Sequence, residues 1–171
     1  MPNADLVFCP RCAERLEWRG VEYLDVLHPV CTACGFILWQ NVKPTVEALI
    51  LRNSDSHPDV LLGRLRTGSS KGLWDMPGGF LNAGDRIEPA LIRECRREMG
   101  IEISVGDLVG AFEQVYYEMP IVSLIYACTI AAGEPRAADI IDDVRWFPLV
   151  EPPAVAYAAV RDAIATMRRK L

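Results

Sequence analysis

The sequence contains no uninterrupted apolar run of the roughly 18 residues that a bilayer-spanning helix requires, so nothing in it reads as a membrane anchor. Its first residues, MPNADLVFCPRC, lack a basic region followed by an apolar stretch, which argues against a secretory signal and for a cytoplasmic setting. Basic charge is also in short supply. Against 23 Asp and Glu stand 18 Lys and Arg, a net charge of −5, which argues against a broad phosphate-backbone footprint on nucleic acid. There is no internal repeat and no low-complexity tract. What remains is globular: 171 residues, 51% hydrophobic and 24% charged, suit one ordinary domain with room for a small appendage.

The appendage is legible in the cysteines. Cys9-Pro-Arg-Cys12 and Cys31-Thr-Ala-Cys34 form two Cys-x-x-Cys pairs separated by 18 residues. Each pair can wrap a turn so that both thiolates face one tetrahedral cation, and two pairs complete a closed zinc site. Gly35 follows the second pair, where a tight knuckle needs positive φ. The rivals are disulfides, disfavoured in a reducing compartment, and a redox motif, which needs a βαβ surround that is absent. Four thiolates leave no open position, so the zinc is expected to be structural, and His28 is expected to be a loop residue rather than a ligand. A zinc ribbon is therefore expected over residues 1–42 and a second domain over 43–171, with Lys43-Pro44 as the hinge.

The second domain alternates strand and helix patterns. Thr45–Leu51 and Val60–Leu65 read as a hairpin about the polar turn 53–58, and Thr67–Gly72 as a loop. After the central helix, Glu102–Val115 reads as strand broken at Gly106-Asp107, and Ile121–Ala131 as a strand buried on both faces. Cys95 and Cys128 read as small core hydrophobes. Val144–Phe147 is a short strand, and Ala154–Arg169 a closing helix.

Between these lies the chemically informative stretch, Gly78 to Ile101. Gly78-Gly79 after Pro77 marks a tight turn with close backbone approach. Asp85 suits a helix N-cap, Ile87, Leu91, Cys95 and Met99 make one apolar stripe, and Gly100 closes the helix. Glu94 and Glu98, four apart, leave the same side. Carboxylates beside a glycine loop suit a hard cation such as Mg²⁺, which could bridge phosphate oxygens and activate water.

This segment resembles the signature box of the Nudix hydrolases, with Gly79, Arg93-Glu94, Cys95, Glu98, Gly100 and Ile101 at matching positions and Gly72–Phe80 leading into it. Two positions depart: Asp85 stands where the family has Glu, and Arg97 replaces the first of two closing glutamates. The resemblance implies an α/β/α sandwich with a mixed sheet, and a zinc ribbon ahead of it resembles the layout of the NAD(H) pyrophosphatases. Their downstream motif is missing, since Phe112–Pro120 does not match it.

The resemblance further implies that Gly79 (carbonyl), Glu94 and Glu98 hold Mg²⁺ or Mn²⁺, with Glu94 and Glu98 catalytic and Asp85 and Arg93 forming a supporting ion pair. The implied activity is hydrolysis of a phosphoanhydride in a nucleoside diphosphate linked to another group, ADP-ribose or dinucleotide-like. The alternative is a nucleotide-binding or regulatory module with an incomplete metal set. The proton acceptor is Glu94 or an acid beyond the box. The family's glutamate there falls near Ile140, leaving Asp139, Asp142 or Asp143 as substitutes. Arg97 either pairs with Glu94, lowering metal occupancy, or contacts a phosphate. Arg64, Arg66 and Lys71 are candidates for phosphate contact; Tyr116 and Tyr117 either stack on a base or are half-buried strand-end aromatics. The expected partner is a small nucleotide, with no membrane or nucleic-acid partner and a homodimer left open.

Overall fold

The computed structural model describes residues 7–21, 26–39, 41–54 and 57–171. The chain divides into two compact units, Met1–Asn41 and Val42–Leu171. The first carries one antiparallel hairpin, β1 (Leu16–Gly20) and β2 (Leu27–Cys31), in the register Leu16 opposite Cys31. Among its described residues the core is small: Cys9, Leu16 and Cys31 are buried, with Phe36 and Leu38 packed on them. So few apolar side chains cannot offset the ordering entropy of about forty residues, and a metal staple is the usual remedy. His28 stacks edge-on to Trp39 at 5.0 Å and stands apart from the cysteines' sulfur cluster.

The second unit is a mixed sheet between two helices. Its strands are β3 (Lys43–Arg52), β4 (Asp59–Leu65), β5 (Trp74–Asp75), β6 (Gly78–Phe80), β7 (Glu102–Tyr116), β8 (Met119–Ala132) and β9 (Ile141–Pro148). The path runs β5-β4-β3-β8-β7, with β6 on β3 and β9 on β4; β3 and β8 are parallel and every other pairing is antiparallel. Lys43-Pro44, expected as a hinge, are the first two residues of β3. The expected hairpin pairs only at Leu51–Val60 and Arg52–Asp59, because β3 is claimed beyond that point by β6 and β8.

Period-two alternation along β3 sends its residues to two cores. Val46, Ala48 and Ile50 pack with Ala90, Leu91, Cys95 and Met99 of α1 (Ile87–Met99). Leu49 packs with Val60, Ile125 and the Ala159, Val160, Ala163 and Ile164 stripe of α2 (Ala158–Lys170). The nearly all-apolar β8 is covered on both faces, as expected of such a run. β7 is one long strand whose register shifts between Val105 and Gly110 absorb the expected break. α2 begins at Ala158 rather than Ala154, since Trp74 pairs first with the preceding segment through Ala154 and Ala156. Among the described residues no helix is long and apolar enough to cross a membrane.

Candidate active site and cysteine cluster

The four ribbon cysteines bring their sulfurs within 4.8 Å of one another, the one cluster of metal-ligand side chains that tight among the described residues. Cys9 and Cys34 lie 3.7 Å apart, Cys12 and Cys31 3.5 Å. A disulfide needs about 2.05 Å, whereas a tetrahedron of roughly 2.3 Å Zn–S bonds has edges of about 3.8 Å. The donor set and its size therefore fit zinc. Two knuckles build it. Ala13 and Gly35, each directly after the second cysteine of a pair, adopt φ of 61° and 70°, and their N–H groups donate to the carbonyls of Cys9 and Cys31. The N–H of Cys34 is the main cause that lowers the Cys31 thiol to about 7.

In the second unit, one cavity of about 650 Å³ lies at the glycine turn. Glu94 and Glu98 reach it from α1, Gly78 and Gly79 from β6, Asp75 from β5, and Thr45 and Glu47 from β3. Contact requires glycine at 78 and leaves little room at 79. A Cβ on Gly78 would stand 2.3 Å from the Val46 carbonyl oxygen, and one on Gly79 3.2 Å from the Glu94 carboxylate. Gly78 N–H donates to Glu98 Oε2 at 3.1 Å. Glu98 is nearly fully buried, and burial is the main cause that pushes its carboxyl up to about 7.

Arg97 lies across this acidic end. Its Nε–H donates to Glu94 Oε2 at 2.9 Å and its Nη2 to Glu98 Oε1 at 3.0 Å; its Nη1 pairs with Asp139. Glu94 Oε1 also faces Arg93 at 3.4 Å. The hard oxygen donors suit a divalent cation chemically, but in this arrangement both glutamates are already engaged by guanidinium, so a cation between them must displace Arg97. Asp85 does not cap the helix. Arg86 occupies the N-cap with no side-chain cap bond, while Asp85 accepts from Asn82 N–H at 3.0 Å and pairs with Arg93 at 3.0 Å. The Arg93 bonds are the first cause that lowers Asp85 from 3.8 to about 2.

The other end of the cavity is aromatic. Phe80 and Tyr116 meet edge-on at 5.7 Å, Tyr116 and Tyr117 at 4.7 Å, and Tyr157 lies 6.0 Å from Tyr116. Tyr116 ends β7 half-buried. Tyr117 and Glu118, at φ of 45° and 65°, make the two-residue turn into β8, and Tyr117 Oη accepts from Ser69 N–H at 3.3 Å. Arg64, Arg66 and Lys71 do not line the cavity. Arg64 instead bonds Asp142 at 2.7 Å, and Arg145 takes Asp143 at 2.7 Å, so those two aspartates are held by the arginines of the β4–β9 pair. Ile140 does line the cavity, and Asp139 touches the box only through Arg97.

Sequence reasoning passed over the cavity floor. Gln114 Nε2 donates to Ser123 Oγ at 2.7 Å, the Ser123 and Thr45 hydroxyls lie 2.9 Å apart, and Thr45 Oγ1 donates to Glu47 Oε1 at 3.2 Å. Glu47 Oε2 and Gln114 Oε1 are buried without a partner. One signal was available: a glutamate in the middle of the buried run TVEALIL breaks its apolar pattern.

Residues 42–167 match the family model described as NUDIX domain. An ADP-ribose pyrophosphatase of Methanocaldococcus jannaschii is 27% identical over 100 residues, 57% of this chain and 59% of that protein. The NAD-capped RNA hydrolase NudC of Pseudomonas aeruginosa is 26% identical over 156 residues, 90% of this chain and 52% of that protein. The chain thus spans little more than half the length of these curated relatives. The fold is shared with a crystal structure of a NUDIX hydrolase from Nitrosomonas europaea, at TM-score 0.77 and 20% identity over 95% of this chain and 92% of that one.

Proposed function

This chain belongs to the NUDIX family, and from that premise we propose that it hydrolyses the phosphoanhydride of a nucleoside diphosphate joined to another group, of the ADP-ribose or dinucleotide kind. The observation that carries this reading is the two-ended cavity, carboxylates and one guanidinium at one end and four aromatic rings at the other. Its size suits a nucleotide-sized ligand. Relatives named for acting on ADP-ribose and on NAD-capped RNA support the same class.

NUDIX hydrolases use divalent metal ions; one bound here would neutralise the diphosphate and lower the pKa of an attacking water. In this reading Glu94, Glu98 and the Gly79 carbonyl would hold it. Asp85 and Arg93 keep the glycine loop against the helix. Arg97 would leave Glu94 as the metal binds, and Glu94 or Asp139 would accept the proton. Phe80, Tyr116 and Tyr117 would stack on the base. The reading extends to residues 1–42 as a separate ribbon domain held by structural zinc, and to a reducing, cytoplasmic setting.

The test is a panel of nucleoside diphosphate derivatives incubated with Mg²⁺ or Mn²⁺ and scored for products. Turnover that disappears in Glu94→Gln and Glu98→Gln supports the reading. Tight nucleotide binding with no product from any substrate would instead support a binding module, the second reading, which the hold of Arg97 on both glutamates favours.

A further inference from the structure

We propose that Glu47 and Asp75, with Glu98 beside them, form a divalent-cation site in the floor of the cavity, distinct from the Glu94–Glu98 gap that Arg97 fills. The first observation is Glu47 itself. It sits in mid-β3 at 9% exposure, and Thr45 takes one carboxylate oxygen. The other, Oε2, is buried with no hydrogen-bond partner. Gly78 seals it in, since a Cβ there would lie 2.8 Å from Glu47 Cγ.

The second observation is the company it keeps. Asp75 lines the same cavity, and its Oδ1 accepts Met76 N–H at 2.9 Å while Oδ2 takes no donor among the described residues. Neither Glu47 nor Asp75 pairs with any Lys or Arg of the described residues, whereas Glu94, Glu98 and Asp139 share Arg97. Three acids from β3, β5 and α1 thus line one cavity, and two of them have no Lys or Arg partner among the described residues.

A buried carboxylate with one oxygen lacking a donor and with no counter-charge is costly, and a hard cation answers both deficits. Among the described residues only the cysteines bring three or more ligand atoms within 4.8 Å, so the carboxylates are spaced more widely than a closed chelate. Mg²⁺ and Mn²⁺ keep several waters and need only one or two carboxylates directly. The site needs no movement of Arg97. It goes beyond the hydrolytic reading and stands without it.

The experiment counts Mn²⁺ on the zinc-loaded full chain without nucleotide, by electron paramagnetic resonance and calorimetry, with thermal unfolding alongside. Wild type should bind Mn²⁺ and gain stability from it. Glu47→Gln and Asp75→Asn should each weaken that Mn²⁺ at least tenfold and abolish the Mn²⁺-induced rise in Tm, while Asp142→Asn, at a residue held by Arg64 outside the cavity, keeps both. Folding of the variants is read from their Tm without Mn²⁺; should Glu47→Gln fail to fold, Asp75→Asn decides. Wild-type Mn²⁺ affinity in both variants, or loss of the ion in Glu94→Gln alone, overturns the proposal and means that Glu47 is answered by a proton. If Glu94→Gln stops hydrolysis while Glu47→Gln still binds Mn²⁺, this inference falls and the proposed function stands. Glu47-dependent Mn²⁺ in a protein without turnover is the reverse.

Discussion

Arg97 donates Nε–H to Glu94 Oε2 across 2.9 Å, from one turn further along the same helix, and carries the same guanidinium on to Glu98. Where a closing carboxylate stands in the family box, this chain neutralises two carboxylates instead of adding a third. The cavity therefore holds fixed positive charge before any ligand arrives.

Arg97→Glu should restore the carboxylate pair and remove the cation that touches Glu94, Glu98 and Asp139 together. Without metal the variant should lose roughly 1–3 kcal/mol, because buried acceptors lose a charged donor. Its Mn²⁺ affinity should rise, with turnover on ADP-linked substrates retained. Mn²⁺ titration and thermal unfolding check both. A more than tenfold fall in nucleotide affinity with no gain in metal binding would show that Arg97 serves the phosphate instead.

Zinc should be present at one per chain, with protons released on binding. Among the described residues Cys31 is buried in a small core with Cys9 and Leu16, so Cys31→Ser should release the metal and unfold the ribbon. The unit from Val42 onward has its own two cores and should keep its Tm. Elemental analysis with amide spectra resolves the two. Protein free of zinc after chelator-free purification would refute the assignment.

Gly78→Ala should be far worse than Gly79→Ala. The first drives a methyl to 2.3 Å from backbone, the second only to 3.2 Å from a side chain that can shift. A cost of about 3 kcal/mol for Gly78→Ala corresponds to a Tm fall of roughly 6–12 °C. Gly79→Ala should show itself in metal affinity, through a displaced Glu94. Equal Tm losses would contradict this account of the turn.

Asp85 supplies the pH prediction. Its pKa is lowered from 3.8 to about 2 in the folded chain, first by Arg93. The unfolded state therefore takes up the proton at higher pH, and the stabilisation is whole above 3.8 and lost as pH falls through about 2. The Tm gap between wild type and Asp85→Asn should shrink across that window. A gap independent of pH would mean that the Arg93 pair contributes nothing.

Tyr116→Ala should weaken nucleotide binding roughly tenfold or more, the scale of one lost base stack, while Tyr116→Phe holds it. Fluorescence titration with an ADP derivative separates stacking from a mere packing defect: the latter would lower Tm in Tyr116→Ala and leave affinity unchanged.

The amino-acid sequence by itself determined whatever depends on spacing within one short segment. Two Cys-x-x-Cys pairs with a glycine after the second specify two knuckles that gather four sulfurs. The i, i+4 stripe from Ile87 to Met99 specifies a helix with Glu94 and Glu98 on one side, and the apolar run in β8 announces burial on both faces. Tertiary structure alone decided what meets across segments. Glu47 and Asp75 lie far apart along the chain and join only because β6 folds Gly78 onto β3 and β5 lies along β4. Arg64 looked like a phosphate ligand, yet β9 pairs with β4 and presents Asp142 to it; Asp85 looked like a cap, yet Arg86 occupies the N-cap. Charged side chains are long and choose partners by proximity in space, whereas helix stripes and metal knuckles are chosen by the local geometry of the backbone itself.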